Sequence, residues 1–176
     1  MKLSPVARIP AAPPLNLSLS LAALLLFSGC ARHTPSASDL YNQQAALPSG
    51  LPAAVLQSRV ITSSVDRQRH TMSTLTGNDL AVDSARAAAS SPYPAGSVLT
   101  LATWEQRDDP HWFGARIPAT PKTVETVTVT RGANAQLTAN YQVFAGSPLR
   151  PLTQVDAAQS ATRRDYILAQ HASVMP

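Results

Sequence analysis

Two stretches, Lys122–Thr130 (KTVETVTVT) and Leu137–Val143 (LTANYQV), decide the fold of this chain. The first is dense in β-branched residues, which favour strands. In the second, Leu, Ala, Tyr and Val alternate with Thr, Asn and Gln, the period of two that is typical of a strand with one face turned inward. Both stretches therefore predict neighbouring strands of a half-buried sheet.

The segments on either side predict the rest of the domain. Further strands are predicted at Arg59–Val65, Thr71–Leu75, Ser97–Gln106 and Trp112–Ile117, with a break at Pro118–Pro121. One helix begins after Gly77, with Asn78 or Asp79 as its cap, and runs to about Ala89; a second runs from Ser160 to about Ala172. The short connections predict an α+β domain, an antiparallel sheet of about five or six strands flanked by helices.

The N-terminus has the layout of a secretion signal. Lys2 and Arg8 precede the apolar segment Leu15–Phe27, which is too short and too polar to span a bilayer comfortably. The residues Phe27-Ser28-Gly29-Cys30 resemble the lipobox of bacterial lipoproteins, although Phe27 stands where the family usually has Leu. The resemblance implies cleavage of residues 1–29 and lipidation of Cys30. By that family's sorting rule, Ala31 after the cysteine implies the outer membrane, facing the periplasm of the bacterial cell envelope.

Composition limits what the mature chain can do. Loss of Lys2 and Arg8 lowers the formal net charge from +4 to +2, and no polybasic run remains, so we expect no nucleic-acid partner. Cys30 is the only cysteine, which leaves none for a disulfide. Residues 30–58 are rich in Pro and Ser and are predicted to be a flexible tether, whose apolar pieces Ala45–Leu47 and Ala53–Leu56 are able to dock on the domain. The domain itself is predicted for residues 59–176.

Part of that domain resembles another family. The stretch Tyr93–Leu99 (YPAGSVL), followed by a strand ending Thr103-Trp104-Glu105 and an acidic turn into Trp112-Phe113, is similar to the central part of the cytochrome P-460 family. The resemblance implies an antiparallel sheet with a haem pocket on one side. Members of that family attach haem through Cys-x-x-Cys-His, a motif this chain lacks, so covalent haem is excluded. Lys122, the only lysine after residue 29, is not assigned the family's haem cross-link.

The densest group of functional side chains lies in Trp104–Arg116 (WEQRDDPHWFGAR). If strands flank a turn here, one loop carries two carboxylates and a histidine, enough for a weak cation site or a haem ligand but short of the three or four ligands of a structural metal site. In the alternative interpretation, Asp-Asp-Pro is turn chemistry, both tryptophans are core anchors, and Arg116 pairs with Asp108 or Glu105. The candidate ligand-binding residues are Trp104, Asp108, Asp109, His111, Trp112 and Arg116.

Three functions remain open. The first is an envelope lipoprotein whose P-460-like domain binds a ligand or has a structural role without covalent haem. The second is a protein that binds haem noncovalently through His111. The third is an enzyme, although the sequence has no phosphate loop, nucleophile elbow or His-Glu-x-x-His motif and assigns no catalytic residue. No metal is predicted, and noncovalent haem is the one cofactor left open.

Overall fold

The computed structural model describes residues 34–87 and 92–173. The predicted signal, Cys30 and the residues at 88–91 lie outside this part of the chain. Two units are distinguished, Met1–Leu40 and Tyr41–Pro176. The described part of the first contains one helical turn, α1 (Ala37–Leu40). The second unit contains the sheet and everything that follows.

The second unit is an antiparallel meander, in which each strand pairs with its neighbour along the chain. Its six strands are β1 (Arg59–Asp66), β2 (Thr71–Gly77), β3 (Val98–Asp108), β4 (Arg116–Arg131), β5 (Leu137–Ala145) and β6 (Arg150–Pro151). The helices are the 3₁₀ turn Gln43–Ala45, α2 (Ala53–Leu56), α3 (Asp79–Arg86) and α4 (Ala157–Leu168). The predicted α+β class, with an antiparallel sheet of about five or six strands, is confirmed.

One face of the sheet, here called the helix face, carries the main core. Leu75 of β2, Leu99 of β3 and Val127 of β4 point to this face and are almost fully buried. They pack against Ala81, Val82 and Ala85 of α3 and against Ile167 of α4. Leu80 of α3 is 42% exposed, and Ala88 lies outside the described residues. Ile167 is the fully buried residue of α4.

The opposite face is covered by the segment before β1. Leu51 and Val55 are buried against Ala102, Val124 and Phe144 in a second apolar cluster, with Leu47 packed beside them. Trp104 joins this cluster and donates its indole N–H to the carbonyl of Ala45 at 2.8 Å. The apolar pieces of the predicted tether therefore dock on the sheet, and the folded unit begins at Tyr41 rather than Arg59. The cause is the apolar surface of this face, which would otherwise be left exposed to water.

The prediction of a break at Pro118–Pro121 was wrong, because β4 runs without interruption through 16 residues. The pairing of β3 with β4 becomes irregular here, with shifts between Thr103 and Trp104 and between Trp104 and Gln106. Proline lacks a backbone N–H and is tolerated at such irregularities. The prediction of a strand at Trp112–Ile117 was also wrong for its first four residues, since β4 begins only at Arg116.

Candidate functional site

The helix face is only partly covered, and an open cleft of about 670 Å³ lies beside α4. Its floor consists of the helix-face side chains of β2 to β5, and its far wall is formed by α4 and the segment before it. Small-molecule sites in proteins span about 300 to 1,000 Å³, so the cleft is large enough for one. Its polar and aromatic lining includes Thr71, Ser73, Thr103, Thr123, Glu125, Tyr141, Arg163 and Tyr166.

Glu125 lies in the floor of the cleft and is only 4% exposed. Arg163 of α4 donates to both of its carboxylate oxygens, from Nε to Oε1 at 2.8 Å and from Nη2 to Oε2 at 2.6 Å. The hydroxyl of Tyr141 donates to Oε1 at 2.6 Å. The buried carboxylate therefore accepts three hydrogen bonds from two side chains, as its desolvation requires.

This network changes the acid–base properties of its members. Burial, and then the hydrogen bond to Glu125, raises the pKa of the Tyr141 hydroxyl far above its usual range. The hydrogen bonds to Glu125 raise the pKa of the Arg163 guanidinium, which is charged in any case. Arg163 also stacks over the ring of Tyr166, with its guanidinium carbon 5.0 Å from the ring centroid. A neutral tyrosine and a permanent cation thus surround one buried anion.

The cations at the cleft all have anionic partners. Arg69 pairs with Asp66 at 3.3 Å, and Lys122 lies 3.7 Å from Glu105. Arg163 is paired with Glu125. No unpaired charge lines the cleft in the described part of the chain, and the walls present hydroxyl groups instead. Ser73 and Thr103, for example, bond to each other across β2 and β3 at 3.0 Å.

The structure does not bring together the six candidate residues in Trp104–Arg116. Trp104 lies on the opposite face of the sheet. Asp108 and Arg116 form an exposed ion pair at 2.7 Å, one of the two pairings expected for Arg116. Asp109 accepts a hydrogen bond from the backbone N–H of His111 at 2.8 Å, and the His111 side chain is exposed. Trp112 is 72% exposed, so the expectation that it anchors the core was wrong.

Within residues 34–87 and 92–173, no group of three or more His, Cys, Asp or Glu side chains is arranged to hold a metal ion. His111 is not among the residues that line the cleft. His111 is also an exposed residue, whereas a haem plane needs a buried surface.

Glu125 and Arg163 are not among the residues that the sequence predicts for the site. The two neighbouring arginine side chains are similarly exposed, 36% for Arg163 and 35% for Arg164, but Arg163 pairs with the buried Glu125, whereas Arg164 pairs with its neighbour Asp165. Glu125 carries a usable signal, because it is the only acidic residue in Lys122–Thr130 and shares strand parity with the buried Val127 and Val129. A charge on the inward face of a strand needs a partner. Nothing local in the sequence says that the partner lies 38 residues away.

The sequence matches no protein-family model and no curated protein. The likeness to the cytochrome P-460 family is therefore without support from these comparisons. Among the helices of the described residues, none is both long and apolar enough to cross a membrane.

Proposed function

We propose that this protein is a lipid-anchored envelope protein whose domain binds a neutral, polar ligand in the cleft beside α4. The anchor is the part of the proposal that rests on sequence: the basic start, the apolar segment and Ser28-Gly29-Cys30. A diacylated cysteine supplies the two chains that lasting attachment to a membrane requires.

Replacement of Cys30 tests the anchor directly. With Cys30→Ser, we expect the protein to move from the membrane fraction to the soluble fraction and to lose incorporation of labelled palmitate. Ser28→Ala is the matched control, because a small residue at that place keeps the pattern of the lipobox. A Cys30→Ser protein that still sediments with membranes would contradict the proposal of a lipid anchor.

The ligand-binding role is carried by one observation, an open cleft of ligand size with a buried and fully partnered carboxylate in its floor. Because every cation at the cleft has an anionic partner, an ionic ligand would have to break an existing pair. A neutral ligand keeps these pairs intact. Hydroxyl groups of the walls both donate and accept hydrogen bonds, which suits a ligand that is itself rich in hydroxyl or amide groups.

A carbohydrate fragment of one or two sugar units fits this chemistry best. The ring of Tyr166 and the apolar side chains of Leu152 and Val155 line the same cleft and offer a surface for the apolar face of a sugar ring. The hydroxyls of Thr71 and Thr123 belong to the floor of the cleft. The proposed ligand is therefore a neutral mono- or disaccharide unit, held between polar strands and an apolar helix edge.

Titration with N,N′-diacetylchitobiose and with maltose tests this role. We expect one of the two disaccharides to shift the NMR resonances of Tyr141 and Tyr166. Thr123→Val should weaken binding about twofold to tenfold, which corresponds to the loss of one hydrogen bond. Thr138→Val, on the exposed side of β5, is the matched control. Unchanged spectra with both disaccharides, or equal effects of the two variants, would contradict the role of the cleft.

The noncovalent haem hypothesis is the second candidate, and the geometry favours it less, because His111 is exposed and outside the cleft. The relationship to the cytochrome P-460 family stays a prediction that rests on Tyr93–Leu99. Addition of haem to the purified protein is expected to give no shifted Soret band. A band that disappears in His111→Ala would restore the haem hypothesis.

A further inference from the structure

The hairpin loop between β3 and β4 displays two adjacent aromatic side chains. Trp112 is 72% exposed and Phe113 109% exposed, the two most exposed of the large hydrophobic residues in the described chain. Large apolar side chains standing together on a surface commonly mark an interaction site. The pair is adjacent in sequence and lies at the tip of the loop, beyond the last pairing of Asp108 with Arg116.

The backbone of this loop is held by hydrogen bonds, so its shape is defined. Asp109 N–H donates to the carbonyl of Ala115 at 3.0 Å, and Ala115 N–H donates to the carbonyl of Trp112 at 3.0 Å. The ion pair between Asp108 and Arg116 closes the base. Gly114 takes a φ of +78°, which favours glycine and turns the chain directly after Phe113. The aromatic pair is therefore presented outward by a closed turn.

The chain that comes from Cys30 joins the domain at the base of the same hairpin. Asn42 donates its side-chain amide to the carbonyl of Pro118, two residues after the start of β4. Arg107, one residue before the end of β3, donates to the side chain of Gln44 at 3.0 Å. These contacts fix Asn42 and Gln44 beside the hairpin. Twelve residues span at most about 40 Å, which limits the distance between the base of the hairpin and Cys30.

The charged side chains at the base of the loop cancel one another, so a contact between the loop and a membrane would depend on its apolar side chains. Arg107 and Arg116 balance Asp108 and Asp109, so the base of the loop has no net charge. Tryptophan and other aromatic residues favour the interface between bilayer and water, where an apolar ring is buried and polar groups stay hydrated. Apolar side chains inserted in this way bind a membrane in proportion to the area that they bury.

We infer that Trp112 and Phe113 insert into the surface of the lipid bilayer to which Cys30 is attached. The aromatic loop gives the protein a second contact with the membrane and fixes the hairpin end of the sheet toward the lipid. This inference rests on the proposed lipid anchor. The partner is the bilayer itself, and the contact between the loop and the bilayer is apolar.

Fluorescence quenching by brominated lipids tests the insertion whether or not the cell lipidates Cys30. The full chain is made in a cell-free system, and its single thiol is coupled to a maleimide lipid in vesicles of phosphatidylethanolamine and phosphatidylglycerol with brominated acyl chains. The chain has two tryptophans, Trp104 and Trp112. In Trp104→Phe the remaining Trp112 should be quenched and its emission shifted to shorter wavelength, whereas in Trp112→Phe the remaining Trp104 should be unaffected.

Two further variants distinguish insertion of the loop from a general loss of exposed apolar surface. Phe113→Ser should lower the insertion equilibrium constant about tenfold, because one buried aromatic side chain is lost. Val60→Ser, which removes a 59% exposed apolar side chain on β1, should leave quenching unchanged. Added salt should also leave it unchanged. Trp112 emission that is not quenched would overturn the inference, and quenching that Phe113→Ser does not reduce would do the same.

The outcome is independent of the Cys30→Ser experiment in cells. If that variant is released from membranes but Trp112 is not quenched, the lipid anchor stands and the loop insertion fails. If Trp112 is quenched in coupled vesicles but Cys30→Ser still sediments with cell membranes, the lipidation fails and the loop remains a membrane contact.

Discussion

Arg163 donates two hydrogen bonds, at 2.8 and 2.6 Å, to the two carboxylate oxygens of Glu125, and these bonds tie α4 to the sheet. Glu125 is 4% exposed as a residue, whereas about a third of the Arg163 side chain is exposed. One turn further along α4, Ile167 is fully buried in the main core. Arg163 thus attaches the last helix through a polar contact and Ile167 through an apolar one, and the cleft opens next to the polar contact.

Removal of Arg163 alone should be costly. In Arg163→Met, Glu125 keeps only the Tyr141 hydroxyl as a partner, and we expect a loss of about 3 kcal/mol in the free energy of unfolding. Urea denaturation followed by circular dichroism measures it. Arg164→Met is the matched control, since the exposed pair of Arg164 with Asp165 should contribute less than about 1 kcal/mol.

A double variant tests whether the unpaired carboxylate is the cause. Glu125→Leu combined with Arg163→Met removes both charges, so no buried anion is left without a partner, and the loss should be smaller than in Arg163→Met alone. A double variant that is as unstable as the sum of the two single variants would show that the two residues act independently.

Tyr141 should make the free energy of unfolding fall at alkaline pH. Burial raises the pKa of its hydroxyl, and the folded protein therefore keeps this proton at pH values where the unfolded chain has lost it. The contribution to stability is fully present below the ordinary pKa of about 10 and declines as the pH rises above it. We expect the free energy of unfolding to fall less steeply from pH 9.5 to 11.5 in Tyr141→Phe than in the natural protein.

Much of the fold follows from local patterns. Period-two alternation in Leu137–Val143 predicts β5 because burial of one face of a strand selects every second residue. The cap at Asn78 and the small residues that follow predict α3 for similar reasons. Pro118 and Pro121 mislead, because their effect depends on how β3 pairs with β4, and local sequence does not determine that pairing.

The candidate site was much harder to predict than the fold. Trp104–Arg116 is dense in functional side chains, but alternation along β3 and the exposure of the hairpin loop send these side chains in different directions. The pairing of Glu125 with Arg163 depends on α4 crossing β4, a tertiary relationship without a local signature. The sequence alone predicts only that Glu125 lies on the same, inward face of its strand as Val127 and Val129.

Gly77 should tolerate no side chain. A Cβ there would lie 2.8 Å from the Cβ of Ala81 and 2.9 Å from Cδ1 of Ile61, closer than carbon atoms approach without movement. Because Ala81 is fixed in α3, we expect Gly77→Ala to destabilise the protein by about 1 to 3 kcal/mol. Gly50→Ala, with nothing within 4 Å of the added carbon, should have little effect. Equal thermal midpoints for the two variants would contradict the close packing of α3 on β2.

Asn78 should matter for more than the helix that it caps. Its Oδ1 accepts from the backbone N–H groups of Ala81 at 3.1 Å and Val98 at 3.2 Å, and its Nδ2 donates to the carbonyl of Gly96 at 2.8 Å. Loss of all three in Asn78→Ala should reduce the free energy of unfolding by about 2 kcal/mol or more, since a helix cap alone contributes about 1 kcal/mol. Asn78→Asp keeps both accepting contacts and loses only the donor, so its loss should be smaller. If the two variants are equally unstable, the bond to Gly96 rather than the cap joins α3 to the start of β3.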